Sequence, residues 1–193
     1  MHMPGVKRDN SYLRAFMFGA AASVLLVTSS ASGAAPGIKG PNFSLTAQDN
    51  YITQPDGQAI YSWGYGCTAG TTPTFLPAMQ NNICPTMQIP GPTLIVMEGQ
   101  TVTVTLTNNL PKAAGNTSML FPGFDVTPTG GVQGLMTSEA TPGGSVTYSF
   151  TALTPGTRAY YSGTQSDLQV EMGLYGAVIV LPNTAQSACT SGI

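Results

Sequence analysis

Asp167 and Glu171 stand four residues apart in the stretch DLQVEMGL. On a helical turn that spacing puts both carboxylates on one face. There they could trade a proton with a substrate or hold a hard cation. A solvated helical turn with Asp167 as its N-cap and Gly173 as its end is the favoured account of them. Methionine offers a different chemistry. Met79, Met87, Met97, Met119, Met136 and Met172 follow the N-terminal apolar segment, and thioethers favour Cu(I). They also fill gaps in cores. Imidazole is the scarce group: the only histidine is His2. Ser-His-Asp and Cys-His catalysis therefore lack a base, and a blue-copper site lacks its two histidines.

The elements that must position these groups are strands. Thr101–Thr107 (TVTVTLT) and Ser145–Phe150 (SVTYSF) alternate polar and apolar, which buries one face and wets the other. Thr93–Met97 is a further strand that turns through Glu98-Gly99-Gln100. Gly176–Leu181 is apolar throughout and predicts a strand buried on both sides. Earlier strands are expected near Phe43–Ala47 and Gln58–Tyr65. Pro-Gly pairs at 90–91, 122–123, 142–143 and 155–156 punctuate the runs. The pattern predicts an all-β fold, an antiparallel sandwich or barrel.

The N-terminus has the pattern of an export leader. Lys7, Arg8 and Arg14 precede an apolar run of thirteen residues, Ala15–Val27, and small residues follow through Ala34. The run is short of the roughly 20 residues that span a bilayer. Cleavage after Ala34 would remove His2. The expected organisation is a leader at 1–34, one domain at 35–182 and a tail at 183–193, with the protein periplasmic or extracellular. Beyond the leader, three bases (Lys39, Lys112, Arg158) face seven acids. That balance argues against nucleic acid as a partner. Charged residues make up 7% of the chain, against about 25% in ordinary proteins, so solubility falls to Thr, Ser, Asn and Gln.

Export places the cysteines in an oxidising compartment. Cys67 and Cys84 bracket a Pro-, Gly- and Thr-rich loop, and a disulfide between them would stabilise the fold by about 3 kcal/mol. Cys189 is left over: free, paired with another chain, or matched by a cysteine in a longer parent. Tyr160, Tyr161 and Tyr175 either line a small-molecule groove or pack in the sandwich with hydroxyls at its rim. Asn42-Phe43-Ser44 and Asn116-Thr117-Ser118 fit the glycosylation pattern.

IPGPTLIVMEGQTVTVTLTNNLP (Ile89–Pro111), GGSVTYSFTALTPGT (Gly143–Thr157) and GLYGAVIVLP (Gly173–Pro182) resemble, in the same order, strands of the N-terminal plastocyanin-like domain of multicopper oxidases. The resemblance covers about Pro90–Pro182. It implies a Greek-key β-sandwich of cupredoxin type. It also implies two His-x-His pairs that help hold a trinuclear copper cluster. The first pair falls on Leu120 and Pro122 within SMLFPGF, and the second on Tyr161 and Gly163 within YYSG. None of the four is histidine, while Gly123, Ser162 and the surrounding scaffold stay. Copper is thus implied only by the resemblance, and no cofactor, metal ligand or catalytic residue is expected in this chain. The leading expectation is a structural or interaction module, or the first domain of a larger or split copper oxidase whose other cupredoxin domains are its partners. The alternative is a Cu(I)-handling protein using methionine. An enzyme built on Asp167 ranks last.

Overall fold

The computed structural model describes residues 36–78 and 84–184. The leader, the tail beyond 184, His2, Met79 and Cys189 lie outside the described residues. Two five-stranded sheets form the fold. The first contains β1 (Gly37–Lys39), β4 (Thr74–Leu76), β5 (Leu94–Met97), β11 (Gly156–Tyr161) and β12 (Tyr175–Leu181), in the order β11-β12-β5-β1-β4. The second contains β2 (Asn42–Thr53), β3 (Ala59–Cys67), β6 (Thr101–Asn109), β7 (Thr127–Gly130) and β10 (Ser145–Thr151), in the order β3-β2-β6-β10-β7. A separate ribbon pairs β8 (Val132–Gln133) with β9 (Ser138–Glu139). Among the described residues there is one short α-helix, α1 (Ser166–Gln169), and a 3-10 turn at Lys112–Ala114.

The sheets are mixed, where alternation and turns predicted antiparallel pairing. β1 lies parallel to β5, β5 to β12, and β2 to β6. Connectivity explains two of these pairs. The chain passes from β1 into β2 and from β5 into β6 by short links that carry it from one sheet to the other. The two tandem strands run side by side, so both pairings are parallel. The second link turns at Gly99, whose φ of 81° lies in the left-handed region that glycine enters without penalty. Its N–H donates to the Ala152 carbonyl at 2.8 Å.

The alternating runs behave as their period requires. Val102, Val104 and Leu106 on β6 and Val146, Tyr148 and Phe150 on β10 are buried, in direct register across the pair. Their outward neighbours form hydroxyl pairs, Thr105–Thr147 at 3.0 Å and Thr107–Ser145 at 3.1 Å. β12 departs from the sequence reading. Gly176, Val178 and Val180 are buried, but Ala177, Ile179 and Leu181 are half-buried. Its neighbours β11 and β5 satisfy its backbone within the sheet, and only its inner face meets the core. Cys67, at the end of β3, is joined by a disulfide to Cys84, which ties that strand to the segment entering β5.

Three tyrosines sit fully inside the sandwich, each with its hydroxyl on a backbone carbonyl: Tyr65 to Ser118 (3.0 Å), Tyr148 to Ser138 (2.7 Å) and Tyr160 to Pro92 (2.8 Å). Burial pushes all three phenols above their ordinary range, because the phenolate would lose its water. Tyr160 therefore belongs to the core. Tyr175, 38% exposed, stands at the surface.

Candidate functional site

The two segments that the resemblance marks for ligands meet in space. Leu120 and Tyr161 form an antiparallel bridge, with the Leu120 N–H on the Tyr161 carbonyl at 2.8 Å and the return bond at 3.2 Å. Gly163 follows Tyr161 on the same side of its segment, while Pro122 sits in the turn closed by the Phe124 N–H on the Phe121 carbonyl and lines the same cavity as Leu120 and Tyr161. Gly163 packs tightly: a methyl placed on it would stand 2.8–3.1 Å from the Leu120 side chain. The four positions thus belong to one locality, although they come from different parts of the sequence.

A cavity of about 370 Å³ opens here, with walls that include Met119, Leu120, Pro122, Phe124, Met136 and Tyr161. Met136 is exposed and Met119 is buried. Met172 does not line it. That residue is half-buried against the core, and its carbonyl accepts the Trp63 N–H at 2.9 Å. Met119 and Met136 thus line one cavity, and Met172 stands apart from it. Beneath the cavity, Phe121 packs on Tyr148, Phe150 and Tyr160 with ring centroids 5.0–6.0 Å apart. On its flank the Arg158 guanidinium lies over the Phe124 ring at 4.8 Å, a cation–π contact.

Directly beside this apolar site lies a buried polar cluster. Gln169 is fully buried. Its carbonyl oxygen accepts from the Thr117 hydroxyl (2.9 Å) and the Ser162 hydroxyl (2.6 Å), and its Nε2 donates to the Asn116 carbonyl (2.9 Å). The Ser118 and Thr164 hydroxyls pair at 2.9 Å, and Thr164 donates onward to Glu139 at 2.8 Å. Asn116 Nδ2 closes the ring on the other Glu139 oxygen at 3.1 Å. No buried side-chain polar atom is left without a partner among the described residues. The sequon at Asn116 is thus engaged in packing, whereas Asn42 is exposed.

The acidic pair of the sequence reading sits on the surface and not in the cavity. α1 begins after Gln165, whose φ of 42° is left-handed, and no side chain caps it. Asp167 lies within the first turn and is not the N-cap. The cause is the anchoring of Thr164: the chain turns immediately after it, and the Gln165 carbonyl accepts from Leu168 and Gln169. Gly173 does end the segment, with a φ of 121° and its N–H on the Val170 carbonyl. Asp167 and Glu171 are both exposed. Among the described residues no three His, Cys, Asp or Glu side chains are grouped to hold a metal. The residue that carries this corner is Gln169, which sequence reading passed over. A neutral amide in a short polar helix gives no signal until the fold buries it.

Two five-stranded sheets with this order of mixed strands define a cupredoxin-type sandwich. Solved structures share it. A multicopper oxidase from Pseudomonas thermotolerans superposes with a TM-score of 0.58 at 21% identity, covering 77% of this chain and 31% of that one. Lac15 from a marine microbial metagenome does so with a TM-score of 0.54 at 26% identity, covering 76% and 33%. The family model described as multicopper oxidase matches residues 69–185, and the chain belongs to that family. It is 38% identical over 96 residues to a multicopper oxidase of Cercospora beticola, covering 48% of this chain and 14% of that protein. A laccase of Aspergillus fumigatus is 38% identical over 98 residues, covering 49% and 16%. The chain thus spans about one seventh of the length of these relatives, in which the matched domain is part of a larger protein. Among the described residues no helix is long and apolar enough to cross a membrane.

Proposed function

We propose that this is an exported, multicopper-oxidase-like cupredoxin domain without copper ligands of its own, serving as a structural or interaction module beside other cupredoxin domains. One observation carries the reading: Leu120 pairs with Tyr161, Gly163 packs on Leu120 and Pro122 lines the same cavity; these are the four positions at which the resemblance implies ligands, and none has an imidazole. Leucine, proline and glycine side chains offer no donor atom. A lone tyrosine beside thioethers does not fit a cluster held by neutral ring nitrogens. The donor set therefore does not fit the copper that the family implies, and no redox step is assigned to this domain. Its role is shape: two sheets, a tied corner and an apolar face that later domains or a partner chain would cover. Fold does not carry chemistry with it.

A second reading rests on Met119 and Met136 sharing one cavity. Two thioethers there would favour Cu(I) over Cu(II). Copper counting separates the two. The purified protein is loaded with Cu(I) and with Cu(II) in separate samples, desalted, and its metal measured. Near-zero copper in both supports the module. Stoichiometric Cu(I) that disappears in Met119→Leu and Met136→Leu supports the second reading. Stoichiometric Cu(II) contradicts both.

A further inference from the structure

The hairpin of β2 and β3 carries a group that the module role does not use. Tyr51 and Tyr61 are directly opposite in the ladder, so both project from one face. They are 65% and 40% exposed, and their rings meet edge to face at 5.6 Å between centroids. The Tyr61 hydroxyl donates to Asp49 Oδ2 at 3.0 Å and accepts from the Trp63 indole N–H at 3.2 Å. Among the described residues this is the one tyrosine whose hydroxyl donates to a carboxylate. The core tyrosines 65, 148 and 160 donate to backbone carbonyls instead, and a carbonyl is a far weaker proton acceptor.

That difference selects a reaction. Removing an electron from a phenol turns its O–H into a strong acid, so oxidation is easiest where a base already holds the proton. We propose that Tyr51 and Tyr61 are an oxidative cross-linking site, with Asp49 as the proton acceptor for Tyr61. The oxidant is a one-electron oxidant of phenols, such as a haem peroxidase supplied with hydrogen peroxide. Each tyrosine gives up one electron and its phenolic proton. The two ring radicals join through a carbon–carbon bond ortho to the hydroxyls, and the displaced ring hydrogens return to the phenol oxygens. One peroxide is reduced to two waters, and the protein loses two hydrogens. Both ring ends face solvent, so rotation about the side-chain bonds can bring the ortho carbons together. The product staples β2 to β3 at the far end of the hairpin from the Cys67–Cys84 disulfide.

The test treats the dilute protein with a haem peroxidase and hydrogen peroxide and follows intact mass. The expected product is a monomer lighter by two hydrogens. Cleavage before Asp56 separates the two tyrosines, so the staple appears as one branched peptide containing both. Tyr51→Phe and Tyr61→Phe should each abolish it, and Asp49→Asn should slow it several-fold while leaving the same product. Circular dichroism confirms that each variant is folded. Formation of the product in either Phe variant would overturn the proposal. So would products found only between chains, or first at Tyr175, or an unchanged rate in Asp49→Asn.

Discussion

The segment Asn116–Phe124 divides into two regions of opposite character within nine residues. Its first part, with Thr117 and Ser118, enters a buried polar cluster in which Gln169 and Glu139 gather hydroxyls and an amide from two stretches of chain. Its second part, Leu120 to Phe124, borders an apolar cavity. The facing segment divides in the same way: Ser162 and Thr164 turn into the cluster, while Tyr161 and Gly163 lie on the cavity side. The polar half anchors both segments through side-chain hydrogen bonds, beside the apolar half. A buried polar network that is fully satisfied fixes one arrangement, and a partly satisfied one is costly.

The largest expected effect comes from breaking the polar half. Gln169→Leu strands the Thr117 hydroxyl and the Asn116 carbonyl and leaves the Ser162 hydroxyl only its contacts with Thr164. It should cost about 3–5 kcal/mol, the range for several buried groups left unpaired, read as a lower midpoint in urea. A Leu120→Ala change in the apolar half, already half-buried, should cost about half as much. Equal losses would remove the contrast. Next comes the disulfide. Cys67→Ser with Cys84→Ser should lose about 3 kcal/mol, without altering the Leu120–Tyr161 bridge.

Alkaline pH sharpens the same point from within the core. The buried phenols of Tyr65, Tyr148 and Tyr160 are raised, so they stay neutral in the fold while the unfolded chain ionises near pH 10. The unfolded state then binds fewer protons, and stability falls as pH rises above about 10. Below that pH the contribution is intact. The slope reaches about 4 kcal/mol per pH unit if all three resist ionisation. Circular dichroism in urea at stepped pH measures it; a flat profile between pH 10 and 12 contradicts it. The smallest effect belongs to Gly163→Ala, where the new methyl meets the flexible Leu120 side chain. About 1 kcal/mol is expected, with the cavity narrowed and the polar cluster untouched.

The sheets were legible because their signal is local. The period of two in β6 and β10 names both the strand and its buried face, and Pro-Gly pairs mark where strands stop. Short strands such as β1 and β4 carry too few residues to show a period, and β7 contains Pro128, which hides it. Parallel pairing was not legible, since it depends on how tandem strands cross between sheets. At the site, the meeting of residues 120–122 with 161–163 was implied by resemblance and not by any local pattern. The polar clamp was invisible because Thr117, Ser118, Ser162 and Gln169 look like surface residues until long-range contacts bury them. The assignment of Asp167 as a cap failed for the same reason: Thr164 is fixed from a distance, and that sets where the helix begins.

The most direct test of the account is hydrogen exchange at the Leu120 and Tyr161 amides, followed by NMR in chelator-treated protein and again with copper added. If the polar clamp holds the two segments, both amides are protected without metal, copper changes neither, and Gln169→Leu exposes both. If the amides exchange freely in the metal-free protein and become protected only when copper is present, the segments are organised by a metal and the central claim is wrong.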